Sequence, residues 1–219
     1  MGYSIAIDGP AGAGKSTIAK RVAKEKGYIY VDTGAMYRGL ALHFLNQEIA
    51  PEDKESIVKA CAGVKVKLAY KDGNQQVYVN GTNVTSRLRE EAVGNMASMS
   101  AAIPEVRAAL LELQRELART EDIVMDGRDI GTFVLPEADV KVFLTASVET
   151  RAKRRYDELM ETGVQTTTLE EIKSDITKRD ERDINRSVAP LKQAEDALRV
   201  DSSHMGIEEV VEAILKLCK

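Results

Sequence analysis

The chain has 219 residues, 43% of them hydrophobic and 30% charged, with a formal net charge of −4. That is enough chain for one domain with a proper core and small insertions, and the composition is that of an ordinary soluble protein. The acidic balance speaks against a general nucleic-acid or membrane-surface binder. No segment approaches the length of a membrane span, and the N-terminus lacks the apolar stretch of a signal peptide, so a cytoplasmic protein is expected.

Tyr3-Ser4-Ile5-Ala6-Ile7-Asp8 is a short, apolar, β-branched run that reads as a buried strand. It leads into Gly9-Pro10-Ala11-Gly12-Ala13-Gly14-Lys15-Ser16-Thr17, which fits G-x-x-x-x-G-K-[ST]. Residues 15–26 follow with Ile18, Ala19, Val22 and Ala23 at helical spacing, and Gly27 is a stop signal. Strand, glycine-rich turn and helix in that order form a phosphate cradle. The glycines let the backbone turn its N–H groups inward, and the helix N-terminus adds positive potential. Lys15, expected in a solvent-facing loop, would reach the outer phosphates, and the Ser16 hydroxyl would take a place on Mg²⁺.

Tyr28-Ile29-Tyr30-Val31-Asp32 is a second strand, so the unit is βαβ and the sheet is parallel, with helices on both faces. The strand ends in Asp32-Thr33-Gly34-Ala35-Met36-Tyr37-Arg38, from which a helix runs to about residue 46. Ligands of open parallel sheets sit beyond the carboxyl ends of the strands. Thr33, Tyr37 and Arg38 are therefore candidates for holding a second substrate, although a capping threonine and a snorkelling arginine account for them equally well. A short polar helix over 51–62 precedes a change of period. Val64-Lys65-Val66-Lys67-Leu68-Ala69-Tyr70 alternates apolar and polar, with turns at Asp72-Gly73 and Asn80-Gly81 around Val77-Tyr78-Val79. This predicts a small antiparallel meander, inserted outside the parallel sheet.

A helix is expected over 91–102, and Pro104 opens a longer one with Val106, Leu110, Leu113 and Leu117 on one face. Ser98 and Arg107 flank the junction between them. Ile123-Val124-Met125-Asp126 is a third buried strand, whose loop places Arg128 and Asp129 at the carboxyl edge again, and Lys141-Val142-Phe143-Leu144 is a fourth. After a capping Ser147, Arg151, Arg154 and Arg155 share a helix face through i, i+3, i+4 spacing. A polar connection over 162–167 leads to Thr168-Leu169-Glu170-Glu171, a capping box. On the helix it starts, Arg179, Asp183 and Arg186 lie on one face, for which surface salt bridging is the plain alternative. Leu198-Arg199-Val200-Asp201 is a last strand, and Ile207, Val210, Val211, Ile214 and Leu215 form the core stripe of a closing helix. Cys61, Cys218, His43 and His204 stand apart with no metal-ligand spacing, so plain thiols and no zinc site are expected.

A P-loop facing many arginines at one sheet edge fits phosphoryl transfer to an acceptor that is itself phosphorylated. Such a reaction crowds anionic oxygens together, and positive charge must offset their repulsion. Arg38, Arg128 and one arginine of the later helix are suited to clamp the acceptor phosphate. The Arg151/Arg154/Arg155 face is suited to close over ATP as a water-excluding lid. Neither role needs a catalytic base, because the acceptor phosphate is already ionised.

The chain resembles the bacterial cytidylate kinases (CMP/dCMP kinases) from end to end. The resemblance is carried by Ile7-Asp8 with the Gly9–Thr17 loop, Asp32-Thr33-Gly34-Ala35-Met36-Tyr37-Arg38, and Asp126-Gly127-Arg128-Asp129-Ile130-Gly131-Thr132. It continues in Arg179-Asp180-Glu181-Arg182-Asp183-Ile184-Asn185-Arg186 and Ala189-Pro190-Leu191. It implies an α/β P-loop fold of three layers: a five-stranded parallel sheet flanked by helices, with the antiparallel β insertion and a short helical lid. The working division is a core of 1–35, 103–146 and 168–219, a monophosphate-binding region of 36–102 and a lid of 147–167. Residue by residue, Gly9 to Thr17 would bind ATP, and Thr33, Tyr37, Arg38, Arg128 and Arg186 would surround the CMP phosphate. Ser98, Arg107 and Asp129 would face cytosine, and Arg179 with Asp183 the sugar. Thr33 stands where some relatives carry Ser, which keeps the hydroxyl. The implied partners are CMP or dCMP and ATP with Mg²⁺, with no nucleic acid or membrane, and the protein is expected to be a monomer.

Three other readings are to be weighed on the residues alone. A different small-molecule P-loop kinase shares the donor half of the site. A GTP-binding switch shares the P-loop, but Thr177-Lys178-Arg179-Asp180 only superficially echoes a guanine-reading segment. A nucleic-acid-binding module fits least, because no aromatic-basic platform accompanies the acidic net charge.

Overall fold

A computed structural model describes residues 2–161 and 167–218. Five strands, β1 (Ser4–Asp8), β2 (Ile29–Asp32), β6 (Ile123–Gly127), β7 (Val140–Thr145) and β8 (Leu198–Asp201), form one sheet in the order β2-β6-β1-β7-β8. Every pairing in it is parallel. The strands read as near-continuous apolar runs because both faces are covered. Ile5, Ile7, Val124, Val142 and Leu144 pack against α1 (Lys15–Lys26) and α8 (Ile207–Leu215) on one face. Ala6, Val31, Ile123 and Met125 face α2 (Thr33–Asn46), α4 (Glu91–Ser100) and α5 (Pro104–Thr120) on the other. The result is a three-layer α/β fold, and the alternation of neighbours along each strand follows from the period-two geometry of the chain.

From β1 the chain crosses to β2 at one edge, returns to β6 beside β1, and then builds outward on the other side through β7 and β8. The carboxyl ends of β1, β2 and β6 therefore meet at one rim, where the connections diverge and leave a crevice. A small helix, α3 (Lys54–Cys61), leads to the insertion: β3 (Val66–Lys71), β4 (Asn74–Val79) and β5 (Thr82–Asn83), a separate antiparallel sheet. Both of its turns carry two consecutive positive-φ residues, Asp72 (51°) with Gly73 (74°) and Asn80 (50°) with Gly81 (83°). That backbone matches the twist of a tight hairpin. Val77 and Val79 are buried against α2, where Gly39 lets them approach: a Cβ there would sit 3.0 Å from Val77. Gln75 fixes the insertion to the sheet, accepting from the Asp32 N–H (2.9 Å) and donating to the Asp32 carbonyl (3.1 Å) as a neighbouring strand would.

The helices α6 (Val148–Glu161) and α7 (Leu169–Asn185) pack on each other through Ala152, Ile172 and Ile176. Ser147 caps the first, accepting from the Thr150 N–H at 3.1 Å, and Thr168 with Glu171 forms the reciprocal capping box of the second. The polar connection expected between them lies almost wholly outside the described residues. Two sequence expectations change. Ile207 is not core: as the first residue of α8 it is 49% exposed, because the apolar stripe turns inward only from Val210. The loop after β6 is not irregular but winds into one wide helical turn, Ile130–Val134. Among the described residues no helix is long and apolar enough to cross a membrane, and no cluster of three or more metal-ligating side chains occurs. Cys61 and Cys218 are free thiols.

Candidate active site

The loop from Gly9 to Lys15 crosses from β1 into α1. Gly9 has no room for a side chain, since a Cβ would lie 1.9 Å from the Leu144 carbonyl oxygen. Gly14 is left-handed (φ 85°) and precedes the helix without any side-chain cap, so first-turn N–H groups of α1 remain open for an anion. Gly12, Ser16 and Thr17 are exposed at the mouth of the loop, while Ala11 and Ala13 are buried behind it. Lys15 corrects the expectation of a solvent-facing lysine. It is 6% exposed, and its ammonium folds back to donate to the Pro10 carbonyl at 2.7 Å. The loop wraps over its own lysine, and burial, reinforced by the nearby Arg128 charge, pulls the Lys15 pKa below the ordinary lysine value.

Behind the loop stands a carboxylate that is not among the candidate site residues of the sequence. Asp126, at the carboxyl end of β6, accepts from Ser16 Oγ (3.0 Å) and from the Tyr30 hydroxyl (2.8 Å), while its main-chain carbonyl accepts from Thr33 Oγ1 (2.7 Å). Burial, with Asp32 nearby, raises its pKa above the usual carboxylate range. A hydroxyl and a carboxylate oxygen side by side next to a phosphate cradle are hard donors suited to a small divalent cation. With so few protein ligands gathered there, the donor set fits Mg²⁺, which keeps waters and substrate phosphates in its shell. Asp8, at the end of β1, accepts from the Ile130 N–H (2.8 Å) and the Gly131 N–H (2.7 Å), and burial pushes its pKa up to about 6. Those two bonds anchor the wide turn and so place Asp129. Two signals mark both: each is the last carboxylate of a strand ending at the crevice, and each lies in a segment that carries the family resemblance.

Opposite the cradle, arginines converge from four elements. Asp129 is shared by two of them: Arg107 of α5 in a buried ion pair, and Arg186 just past α7 at 3.0 Å. The Arg107 guanidinium lies 5.8 Å from the Tyr37 ring and 5.7 Å from the Phe133 ring, and its buried Nε has no hydrogen-bond partner. Tyr37 remains a neutral phenol, burial pushing its pKa up to about 12. Arg186 also donates to the Ala189 carbonyl at 2.6 Å. Arg128 at the end of β6 pairs with Asp183 of α7 at 2.8 Å. Arg179, one turn earlier, reaches Asn95 of α4 at 3.2 Å and Asp175 at 3.1 Å. Its pKa is lowered first by burial and then by the charges of Arg182, Arg38 and Arg128. Arg38 is half-buried in α2, and Ser98 is half-buried on α4 one turn beyond Asn95.

Two of these ion pairs join candidates that the resemblance assigns to different parts of the nucleotide. Arg186, assigned to a phosphate, sits with Arg107 on Asp129; Arg128, also assigned to a phosphate, is held by Asp183, assigned to a sugar. Thr33 points its hydroxyl at the sheet, tying α2 to Asp126. The α6 arginines do not form one free face. Arg151 is 4% exposed and donates to the Ala146 carbonyl (2.9 Å), the Ala11 carbonyl (2.8 Å) and Asp180 (2.6 Å). Arg154 donates to the Ser202 hydroxyl (3.1 Å) and carbonyl (2.6 Å), and only Arg155, paired with Glu158 at 2.8 Å, stays on the surface. Burial, with neighbouring guanidiniums, lowers the pKa of Arg179 and of Arg186, while Asp183 holds that of Arg128 up, and so dense a cluster of cations creates a positive potential that attracts anions.

A family model described as cytidylate kinase matches residues 5–219. Over 218 residues the chain is 48% identical to a cytidylate kinase of Shouchella clausii, covering 100% of this chain and 96% of the relative. It is also 48% identical over 213 residues to a cytidylate kinase of a Geobacillus species, covering 97% and 95%. The chain belongs to the cytidylate kinase family. It is accordingly an ATP-dependent phosphotransferase of the nucleoside monophosphate kinase type, and the family implies phosphoryl transfer from ATP to CMP. Among solved structures, a shikimate kinase of Bacteroides thetaiotaomicron aligns with a TM-score of 0.51 at 15% identity, over 98% of this chain and 97% of that one. An uncharacterised protein of Eubacterium ventriosum aligns with a TM-score of 0.54 at 12% identity, over 98% and 96%. Those two likenesses concern the fold alone. The open cradle at Gly9–Thr17 follows β1 and the arginine-lined crevice lies beyond β2 and β6, at the same rim of the sheet.

Proposed function

We propose that this chain transfers the γ-phosphoryl group of ATP to the phosphate of either CMP or dCMP, giving CDP or dCDP and ADP. The observation that carries the reading is the arginine set, Arg38, Arg128 and Arg179 with Arg107 and Arg186, gathered opposite an uncapped P-loop. Gly9, Pro10, Ala11, Gly12, Ala13, Gly14, Lys15, Ser16 and Thr17 hold the triphosphate, with open amides on its oxygens. Lys15 exchanges the Pro10 carbonyl for the outer phosphates, a move favoured because an anion restores the charge that burial disfavours. Mg²⁺, for which Ser16 and Asp126 are the fitting donors, would neutralise the phosphates and help align them. Arg38, Arg128 and Arg179 draw the acceptor phosphate in, and the nearby Asp183 and Tyr37 offer an acceptor and a donor to the rest of the nucleotide. An acceptor phosphate is ionised at neutral pH, so its oxygen attacks without a protein base, and orientation and charge compensation are the residues' whole task.

Base selection falls to Asp129 and Arg107, beside Ser98. Cytosine presents an amino donor and two acceptors, matching a carboxylate and a guanidinium, and Arg107 Nε is a buried donor without a hydrogen-bond partner among the described residues. Uracil reverses that pattern at two positions. The working parts we assign are the core (1–35, 103–146, 168–219), the acceptor region (36–102) and the lid (147–167). The arginines of α6 contribute to the lid as anchors, Arg151 and Arg154, and as a surface charge, Arg155. The test is product analysis: with ATP and Mg²⁺, CMP and dCMP give the corresponding diphosphates and ADP one for one. ADP released with no cytidine diphosphate formed would sink the proposal.

A further inference from the structure

Asp180 lies outside the acceptor set, although Arg179 and Asp183 flank it on α7. It is 9% exposed and turns the other way, into the donor half. Its Oδ1 accepts from the Ala11 N–H at 3.1 Å, and its Oδ2 from Arg151 Nη1 at 2.6 Å. Arg151 in turn donates to the Ala11 carbonyl at 2.8 Å. Both polar groups of Ala11 are therefore held, one by α7 and one by α6, and the ion pair between the two side chains closes the ring.

The Pro10–Ala11 peptide extends this ring to the central lysine. Its carbonyl accepts from the Lys15 ammonium at 2.7 Å, while its N–H donates to Asp180. One peptide plane is thus polarised between a carboxylate and an ammonium, and its tilt cannot change without moving both. We infer that Asp180 is a positioning residue of the donor half: through the Pro10–Ala11 peptide it fixes the shape of the P-loop and the resting place of Lys15. Because Arg179 touches Asn95 and Asp183 holds Arg128, the same turn of α7 reaches both halves of the site. The inference rests on the reading of the P-loop as the ATP site.

The proposal separates Asp180 from its helical neighbours by which substrate responds. In Asp180→Ala the KM for ATP, and the dissociation constant of a non-hydrolysable ATP analogue measured by calorimetry, rise by about tenfold or more, as for loss of a buried charged hydrogen bond. The KM for CMP stays within about twofold, and kcat falls because Lys15 is misplaced. Arg151→Met, which removes the second strut and leaves Asp180 in place, shifts the same two ATP constants by a smaller factor. A loss of melting temperature with unchanged ATP constants would overturn the inference, as would a rise in the CMP constant alone. Should Asp180→Ala fail to fold, Asp180→Asn, which keeps an acceptor for the Ala11 amide, is titrated with the analogue instead, and wild-type affinity there together with wild-type affinity in Arg151→Met overturns it. The analogue titration needs no acceptor. A wild-type protein that binds the analogue but leaves CMP untouched therefore counts against the proposed function and leaves this inference standing.

Discussion

Replacing Asp129 by asparagine removes one charge from a position that two arginines share and changes almost nothing in volume. Arg107 and Arg186 are each 4% exposed at the side chain and Asp129 is 6% exposed, so neither cation can turn to water when its partner is neutralised. Breaking a buried pair of this kind costs about 3–5 kcal/mol, and the substituted amide still accepts one hydrogen bond, so a loss of about 3 kcal/mol is the expected scale. For a domain of this length that corresponds to a melting temperature lower by roughly 6–12 °C. The consequence for specificity is separate. An amide can present either an acceptor or a donor, so it serves the amino group of cytosine and the carbonyl of uracil almost equally. One buried mismatch is worth roughly 1–3 kcal/mol, so the ratio of kcat/KM for CMP over UMP should fall by about one to two decades. A coupled assay of ADP release with each acceptor, run well below the measured melting temperature, reads the ratio directly. A folded Asp129→Asn variant with the wild-type ratio would refute the placing of the cytosine contact at Asp129.

Lys15→Ala loses phosphoryl transfer by orders of magnitude, and because the hydrogen bond the lysine gives up is to a loop carbonyl the fold survives; near-normal turnover in a purified, folded variant would contradict it. Asp183→Ala raises the KM for the monophosphate, since it also frees Arg128, and leaves that for ATP nearly unchanged; equal effects on both constants would remove Asp183 from the acceptor half. Asp8 makes stability depend on pH in an unusual direction. Its folded pKa of about 6 lies above the ordinary value of 3.8, so the native state holds the proton longer and stability from this group falls as pH rises between those values. The expected decline is roughly 1–3 kcal/mol, and denaturant titrations of wild type and Asp8→Asn at pH 4 and pH 6 should show it shrinking in the variant. A wild-type slope retained in Asp8→Asn assigns the effect elsewhere.

Much of the fold is legible in the sequence because its signals are local. Asp72-Gly73 and Asn80-Gly81 carry turn chemistry that works without any tertiary partner, and Thr168 with Glu171 closes its own capping box. The buried strands are readable because a sheet covered on both faces needs apolar residues at every position. The site is legible as an inventory and not as an arrangement. Nothing local says that Arg186 and Arg107, 79 positions apart in the chain, will meet on one carboxylate. Helical spacing puts Arg151, Arg154 and Arg155 on one face, yet Arg151 is drawn under the P-loop by Asp180, a long-range partner that no period reveals. Lys15 reads as exposed because glycine-rich loops lie on surfaces, but this loop curls back over its own side chain. Asp126 and Asp8 stand in segments that carry the family resemblance, but what they do there, one beside Ser16 and one under the wide turn, rests on long-range contacts that no local pattern reveals.

The most direct test of the account is a set of initial rates at fixed ATP and Mg²⁺ with CMP, dCMP, UMP and AMP as alternative acceptors. The arrangement of Asp129 with Arg107 predicts turnover of CMP and dCMP, and a kcat/KM for UMP lower by about tenfold or more. Equal efficiency with CMP and UMP, or phosphorylation of a non-nucleotide alcohol in preference to CMP, would contradict it.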